Sequence, residues 1–334
     1  MNNKDLKKVV ESALDKQKVP HVKLKKIGAS KVDVASLTEP SKETRQEYWG
    51  KGLTYCAIIL IIILVASIIG FIGFHGLETF TKDHVNVFQF LTSSDWDPGE
   101  GKGHVGAAAM IVTSFSVTLL AALVATPFAI AVALFMTEYS SKKGARFLQS
   151  VIELLVGIPS VVYGFIGLQV VVPFVRLIFG GTGFGILSGT FVLFVMILPT
   201  VTFMTTDTLR AVPRHYREAS LAMGATRWQT IWRVTLNAAK PGIFTAVIFG
   251  MARAFGEALA IQMVVGNSAV IPTSLTTPAA TLTSVLTMGI GNTVMGTVSN
   301  NVLWSLALVL LLMSLGFNML VKFITRERKR NYER

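Results

Sequence analysis

Five stretches of this sequence contain no Asp, Glu, Lys or Arg: Leu53 to Phe74, Val105 to Thr137, Leu154 to Val175, Leu177 to Thr206 and Ala258 to Val321. The hydrocarbon layer of a bilayer is about 30 Å thick and an α-helix rises about 1.5 Å per residue, so about 20 apolar residues suffice to cross it. A buried helix of roughly 10–14 residues, the usual soluble alternative, does not account for runs of this length. Charged residues make up 15% of the 334, against about 25% in a soluble domain. The runs therefore predict an all-α, polytopic membrane protein. Six spans are expected, at about 53–75, 106–137, 147–176, 184–207, 241–266 and 302–322. The domain reading is a basic segment at 1–52, a transmembrane body at 53–325 and a basic tail at 326–334.

The net charge of +12 is explained by where the basic residues lie. Residues 1–52 carry 12 Lys and Arg, 138–146 carry three, 208–240 carry six and 322–334 carry six. The loop 76–104 carries two, Lys82 and Lys102, and 267–301 carries none. Basic loops stay on the cytoplasmic side of a membrane, so this alternation predicts six spans with both ends cytoplasmic. No basic patch interleaved with aromatics appears, so a nucleic-acid partner is not expected. The lone Cys56 can form no internal disulfide, and the five histidines have no metal-ligand spacing. No cleavable signal peptide is expected, because the first apolar run begins past residue 50. Leu6, Val9, Val10 and Leu14 recur among lysines at helical spacing. They fit an amphipathic helix on the lipid surface or a solvated tail.

Pro127, Pro159 and Pro199 each remove an intrahelical hydrogen bond. Such breaks persist at membrane depth only where they are packed in protein or line a cavity. Residues 157–167, with three glycines and Pro159, are the most irregular. Ala252, Gly256 and Ala260 sit four apart, the spacing that admits a close neighbouring helix.

The basic loop 208–240 reads as two short helices joined at a turn. Gly224 suits the left-handed residue that ends the first. Thr226 followed by Gln229 is a capping box opening the second. Small residues (Ala219, Ser220, Ala222), with Arg217 and Glu218 at the edge, offer an outer face for close contact. By physics alone this is either a docking peg or an amphipathic connector.

Arg253 and Glu257 lie inside the fifth span, where a charge costs about 2.5–3.5 kcal/mol on insertion scales. Four residues apart on one helix, they would face the same way. One reading is a mutual ion pair that fixes helix register. The other is an anion pathway, in which Arg253 matches oxyanion geometry with a planar fork and Glu257 positions it. Thr113, Ser114, Ser160, Tyr163 and Gln262 are further pathway candidates, against the alternative that hydroxyls bond their own helix backbone.

The loop resembles the EAA motif of ABC-importer permeases: Glu-Ala-Ala, three residues, Gly, nine residues, Ile, one residue, Leu-Pro. Glu218, Ala219, Gly224 and Leu236 match, while Ser220, Val234 and Asn237 depart from it. The stretches Glu153–Leu168, Ala252–Asn267 and Ser94–Pro98 are similar to phosphate permeases of the PstC type, with Val112 where that family usually has Gly before Thr113. The resemblance covers about residues 50–325. It implies the type I importer permease fold and an ATPase-coupling element at Arg217, Glu218, Ala219, Ser220, Gly224 and Ala225. It also implies a second permease subunit of the PstA type, two ATP-binding subunits of the PstB type and an extracytoplasmic phosphate-binding protein of the PstS type. No Walker A sequence occurs, since Gly99 to Gly103 is a poor imitation. ATP and Mg are therefore expected on partner subunits, with no cofactor and no catalysis on this chain. Another oxyanion, such as molybdate or sulfate, and an ATP-independent channel are the competing expectations.

Overall fold

A computed structural model describes residues 42–99 and 104–332. The amphipathic pattern at residues 6–14, and most of the Gly99–Gly103 stretch, lie outside the described residues. The chain divides into two compact units, residues 1–65 and 66–334. The described part of the first unit is helical, and its apolar side chains from Leu53 to Val65 are exposed around the whole circumference. A helix that is apolar all round is suited to lipid rather than water.

Helix α1 is Lys42–Thr81. The second unit then holds α2 (Val87–Thr92), α3 (Ala108–Leu134), α4 (Lys142–Gly157), α5 (Ser160–Ile166) and α6 (Val172–Phe179). It continues with α7 (Ile186–Ala211), α8 (Arg214–Ala222), α9 (Arg227–Thr230), α10 (Leu236–Phe255), α11 (Leu259–Gln262), α12 (Leu282–Gly289) and α13 (Val298–Tyr332). Among the described residues, β-structure is confined to two isolated bridges, Trp96 with Val105 and Gly266 with Ala279.

Six helical stretches are long and apolar enough to cross a membrane: Gln46–Thr81, Ala108–Tyr139, Ser160–Phe179, Ile186–Ala211, Arg227–Phe255 and Val298–Met319. The number agrees with the sequence reading, but two sets of boundaries are corrected. The third span does not begin at 147. Helix α4 is strongly amphipathic and stops at Gly157, because Pro159 disfavours helical geometry at Ile158 before it. The helical stretch long and apolar enough to cross starts at Ser160. Tyr163 then donates its hydroxyl hydrogen to Leu155 O at 2.8 Å, adding a second bond to a carbonyl that the helix end pairs only with Ile158 N at 3.3 Å.

The fifth span is displaced the other way. The helical stretch that contains it begins at Arg227, because a π-turn at Ile231–Thr235 joins α9 to α10 without a break. Asn237 is thus inside a helix, donating to Arg233 O at 2.5 Å. The helix ends at Phe255, so 256–266 is not a continuation of it.

The core is built on α7, the most buried span, whose largest helix interface is with α3. Alanines on α3 (Ala121, Ala125, Ala129) are fully buried and allow that close approach. The residues after α11 return into this core. Ala279 to Ser284 are all at most 5% exposed, although the sequence reading placed 267–301 in an outer loop. Leu282 N donates to Ser114 Oγ at 2.9 Å and Thr283 Oγ1 donates to Glu257 O at 2.7 Å. The hydroxyl-rich composition of this segment supplies hydrogen-bond partners for its irregular backbone at depth.

Candidate functional site: the α10 break and the α8 peg

Arg253 sits in the last turn of α10 and is half-buried. Its Nη1 donates to Thr200 Oγ1 at 2.6 Å. Thr200 lies near the midpoint of α7, so the guanidinium is held halfway along that span. Tyr163, on α5, is within electrostatic range of the same guanidinium. Among the described residues no carboxylate lies within ion-pair distance of Arg253.

Glu257 is placed differently from the sequence expectation. It follows Gly256 in the break between α10 and α11, so the four-residue spacing no longer puts it on Arg253's helical face. Its Oε1 accepts from Ala260 N at 3.4 Å, at the start of α11. Its side chain lines a narrow cavity with Ser114 and Thr118 of α3 and Thr281 and Thr283 before and within α12. The cavity has room for about a single water. The two charges therefore serve different neighbourhoods: Arg253 faces Thr200, and Glu257 lines a small cavity of mixed hydroxyl and apolar character.

The remaining pathway candidates divide as well. Thr113 is fully buried on α3 and its Oγ1 has no hydrogen-bond partner among the described residues. Gln262 Oε1 is in the same condition, while Gln262 O accepts from Asn267 Nδ2 at 2.8 Å. Ser114 and Tyr163 are occupied by backbone partners, as given above. Ser160 is the first residue of α5 and half-buried. The small-residue spacing at Ala252, Gly256 and Ala260 is not one packing seam, because the helix ends before Gly256. Ala260 is in a close approach of its own: a Cβ added to Gly164 would lie 2.8 Å from Ala260 Cα.

The loop after α7 forms the two helices expected of it. Gly224 has φ +82°, a left-handed residue that ends α8. Thr226 and Gln229 form a complete capping box. Glu218, Ala219, Ala222 and Gly224 are exposed, and Met223 is 88% exposed. Ala225 is half-buried. Ser220 faces inward instead of outward, its Oγ 2.9 Å from Thr230 Oγ1. Arg217 also points inward, to Glu138 Oε1 at 2.9 Å and to Leu209 O at 3.1 Å.

Sequence reasoning missed Thr200, Thr118, Thr281, Thr283 and Glu138. Glu138 carried a signal, as an acid at the end of a charge-free run. The threonines carried none, being a few of many in apolar surroundings.

Residues 125–330 match the family described as binding-protein-dependent transport system inner membrane component. The probable ABC transporter permease protein YqgH of Bacillus subtilis is 50% identical over 293 residues, covering 86% of this chain and 94% of the relative. The phosphate transport system permease protein PstC of Mesorhizobium japonicum is 34% identical over 256 residues, covering 70% and 76%. The crystal structure of a bacterial ABC transporter involved in import of the acidic polysaccharide alginate superposes with a TM-score of 0.59 at 15% identity, covering 86% of this chain and 98% of that one. At that identity the likeness shows a shared fold. This multi-pass membrane chain belongs to the binding-protein-dependent transport system inner membrane component family, as an ABC-importer permease subunit of the PstC type.

Proposed function

We propose that this chain forms one half of the translocation pathway of an ATP-driven phosphate importer in the cell membrane, with both termini cytoplasmic. The observation that carries the substrate reading is the Arg253 guanidinium. It is held at mid-span by a neutral hydroxyl, with no carboxylate in ion-pair range among the described residues. Its charge is thus not cancelled locally, and an intramembrane charge of this kind marks an ion pathway. The planar fork fits two oxygens of a phosphate, and relatives named as phosphate permeases support that choice of anion.

A PstA-type permease would supply the other half of the pathway, and a PstS-type binding protein would deliver phosphate. Closure of two PstB-type subunits, which would hold the ATP and Mg, would move the exposed face of α8. Because α9 is continuous with α10, that motion would reach Arg253 along one helical rod. Alternating access follows from tilting this rod against α7.

The test is phosphate uptake by cells carrying Arg253→Ala, with the amount of membrane-inserted protein monitored. Loss of uptake at normal protein level is expected. Unchanged uptake would sink the assignment of Arg253. Wild-type uptake suppressed by molybdate or sulfate as effectively as by unlabelled phosphate would redirect the substrate to another oxyanion.

A further inference from the structure

A cavity of about 780 Å³ lies between α3 and the rod formed by the π-turn and α10. Leu123, Pro127 and Ile130 of α3 face Ile243 and Val247 of α10 across it. Its lining changes character toward the start of the rod, where Trp232, Arg233 and Lys240 are all exposed. Among the described residues neither cation is in an ion pair, and no acid occurs in the sequence between Glu218 and Glu257.

An apolar slot at membrane depth takes an apolar occupant, while two unneutralised cations at its open end take an anion. Trp at this level fits the boundary between hydrocarbon and headgroups. A single molecule meeting both demands is an acidic amphiphile, and basic pockets between spans are suited to such headgroups. We propose that this cavity binds an acidic phospholipid, with an acyl chain between α3 and α10 and the phosphate-bearing headgroup against Arg233 and Lys240. A transmembrane helix of another subunit would fill the slot equally well but would need a carboxylate at its end to meet the same cations.

The test uses the full chain assembled with its partner subunits. The assembly is exchanged into detergent containing either phosphatidylglycerol or phosphatidylcholine, and retained lipid is counted by native mass spectrometry. Two basic residues at a headgroup predict a preference for phosphatidylglycerol of roughly 30-fold. Equal retention of the two lipids would overturn the proposal. Arg233→Gln combined with Lys240→Gln is expected to abolish the preference, and a preference left intact would place the lipid elsewhere. Should that variant fail to assemble, Val247→Phe keeps both charges while filling the slot. It is expected to lower phosphatidylglycerol retention, and unchanged retention would count against the site. A photoreactive benzophenone at position 247 is expected to give a lipid adduct, whereas an adduct to a protein subunit would assign the groove to a subunit interface.

Discussion

Arg217 Nη2 on α8 lies 2.9 Å from Glu138 Oε1, an ion pair at the π-turn that ends the second span. The same nitrogen reaches Leu209 O at 3.1 Å, in the last turn of α7. One side chain thus ties the exposed peg to two spans, and both ion-pair partners are largely shielded from water. Under the proposed coupling role, Arg217→Gln and Glu138→Gln should each lower phosphate transported per ATP hydrolysed in reconstituted vesicles. A double-mutant cycle on stability should return a coupling of about 0.5–3 kcal/mol. Strictly additive effects would mean that the pair does not act as a unit.

Gly224 offers a cleaner perturbation of the peg. Its φ of +82° is left-handed, and a Cβ built there meets nothing within 4 Å. Gly224→Ala therefore changes backbone preference without a clash, at a cost of about 1–2 kcal/mol. Asn tolerates the left-handed region better. Gly224→Ala should reduce the uptake-to-ATPase ratio and Gly224→Asn should recover most of it. Equal loss in both variants would point to a contact made by the glycine itself, not to the conformation it permits.

The span count and the turn chemistry of the peg were legible because both rest on local rules. Charge-free length sets a crossing, Gly224 sets a left-handed end, and Thr226 with Gln229 sets a start. What was not legible depended on how segments meet. Ser220 reads as one more small residue on an outer face, yet Thr230, ten residues on, turns it inward. The uncharged stretch after Asn267 looks like an outer loop, because polarity without charge does not distinguish a solvated segment from one whose hydroxyls are used internally. Arg253 and Glu257 share a face only if the helix continues. It stops at Gly256, and the segment carrying Thr283 receives the carbonyl of Glu257 that a continuing helix would have paired.

Thr200→Val tests how far Arg253 depends on its partner. The substitution keeps the side-chain shape and removes the hydroxyl that accepts from Nη1. A hydrogen bond to a charged group contributes about 1.5–3 kcal/mol, equivalent to roughly tenfold or more in an equilibrium constant. With the guanidinium no longer held, the KM for phosphate uptake should rise by about that factor while protein level stays normal. Arg253→Lys should fare worse, since an ammonium supplies a charge but no fork. Wild-type KM in Thr200→Val would show that Arg253 is oriented by something other than this bond.

Ser114→Ala separates a structural role from a pathway role at one of the sequence-derived candidates. Ser114 Oγ accepts from Leu282 N, a buried amide at the start of α12. Removing the hydroxyl leaves that donor unpaired in a region where bulk water cannot replace it, at a cost of about 1–3 kcal/mol. The full chain in detergent should therefore unfold at a lower temperature with Ser114→Ala. Thr283→Val should act in the same direction, because it orphans Glu257 O. Ser160→Ala, at the first residue of α5, should have the smaller effect on unfolding. If Ser114→Ala left the unfolding temperature untouched and abolished uptake, its hydroxyl would belong to the translocation path. The anchoring of the returning segment would then rest on Thr283 and the bridge between Gly266 and Ala279.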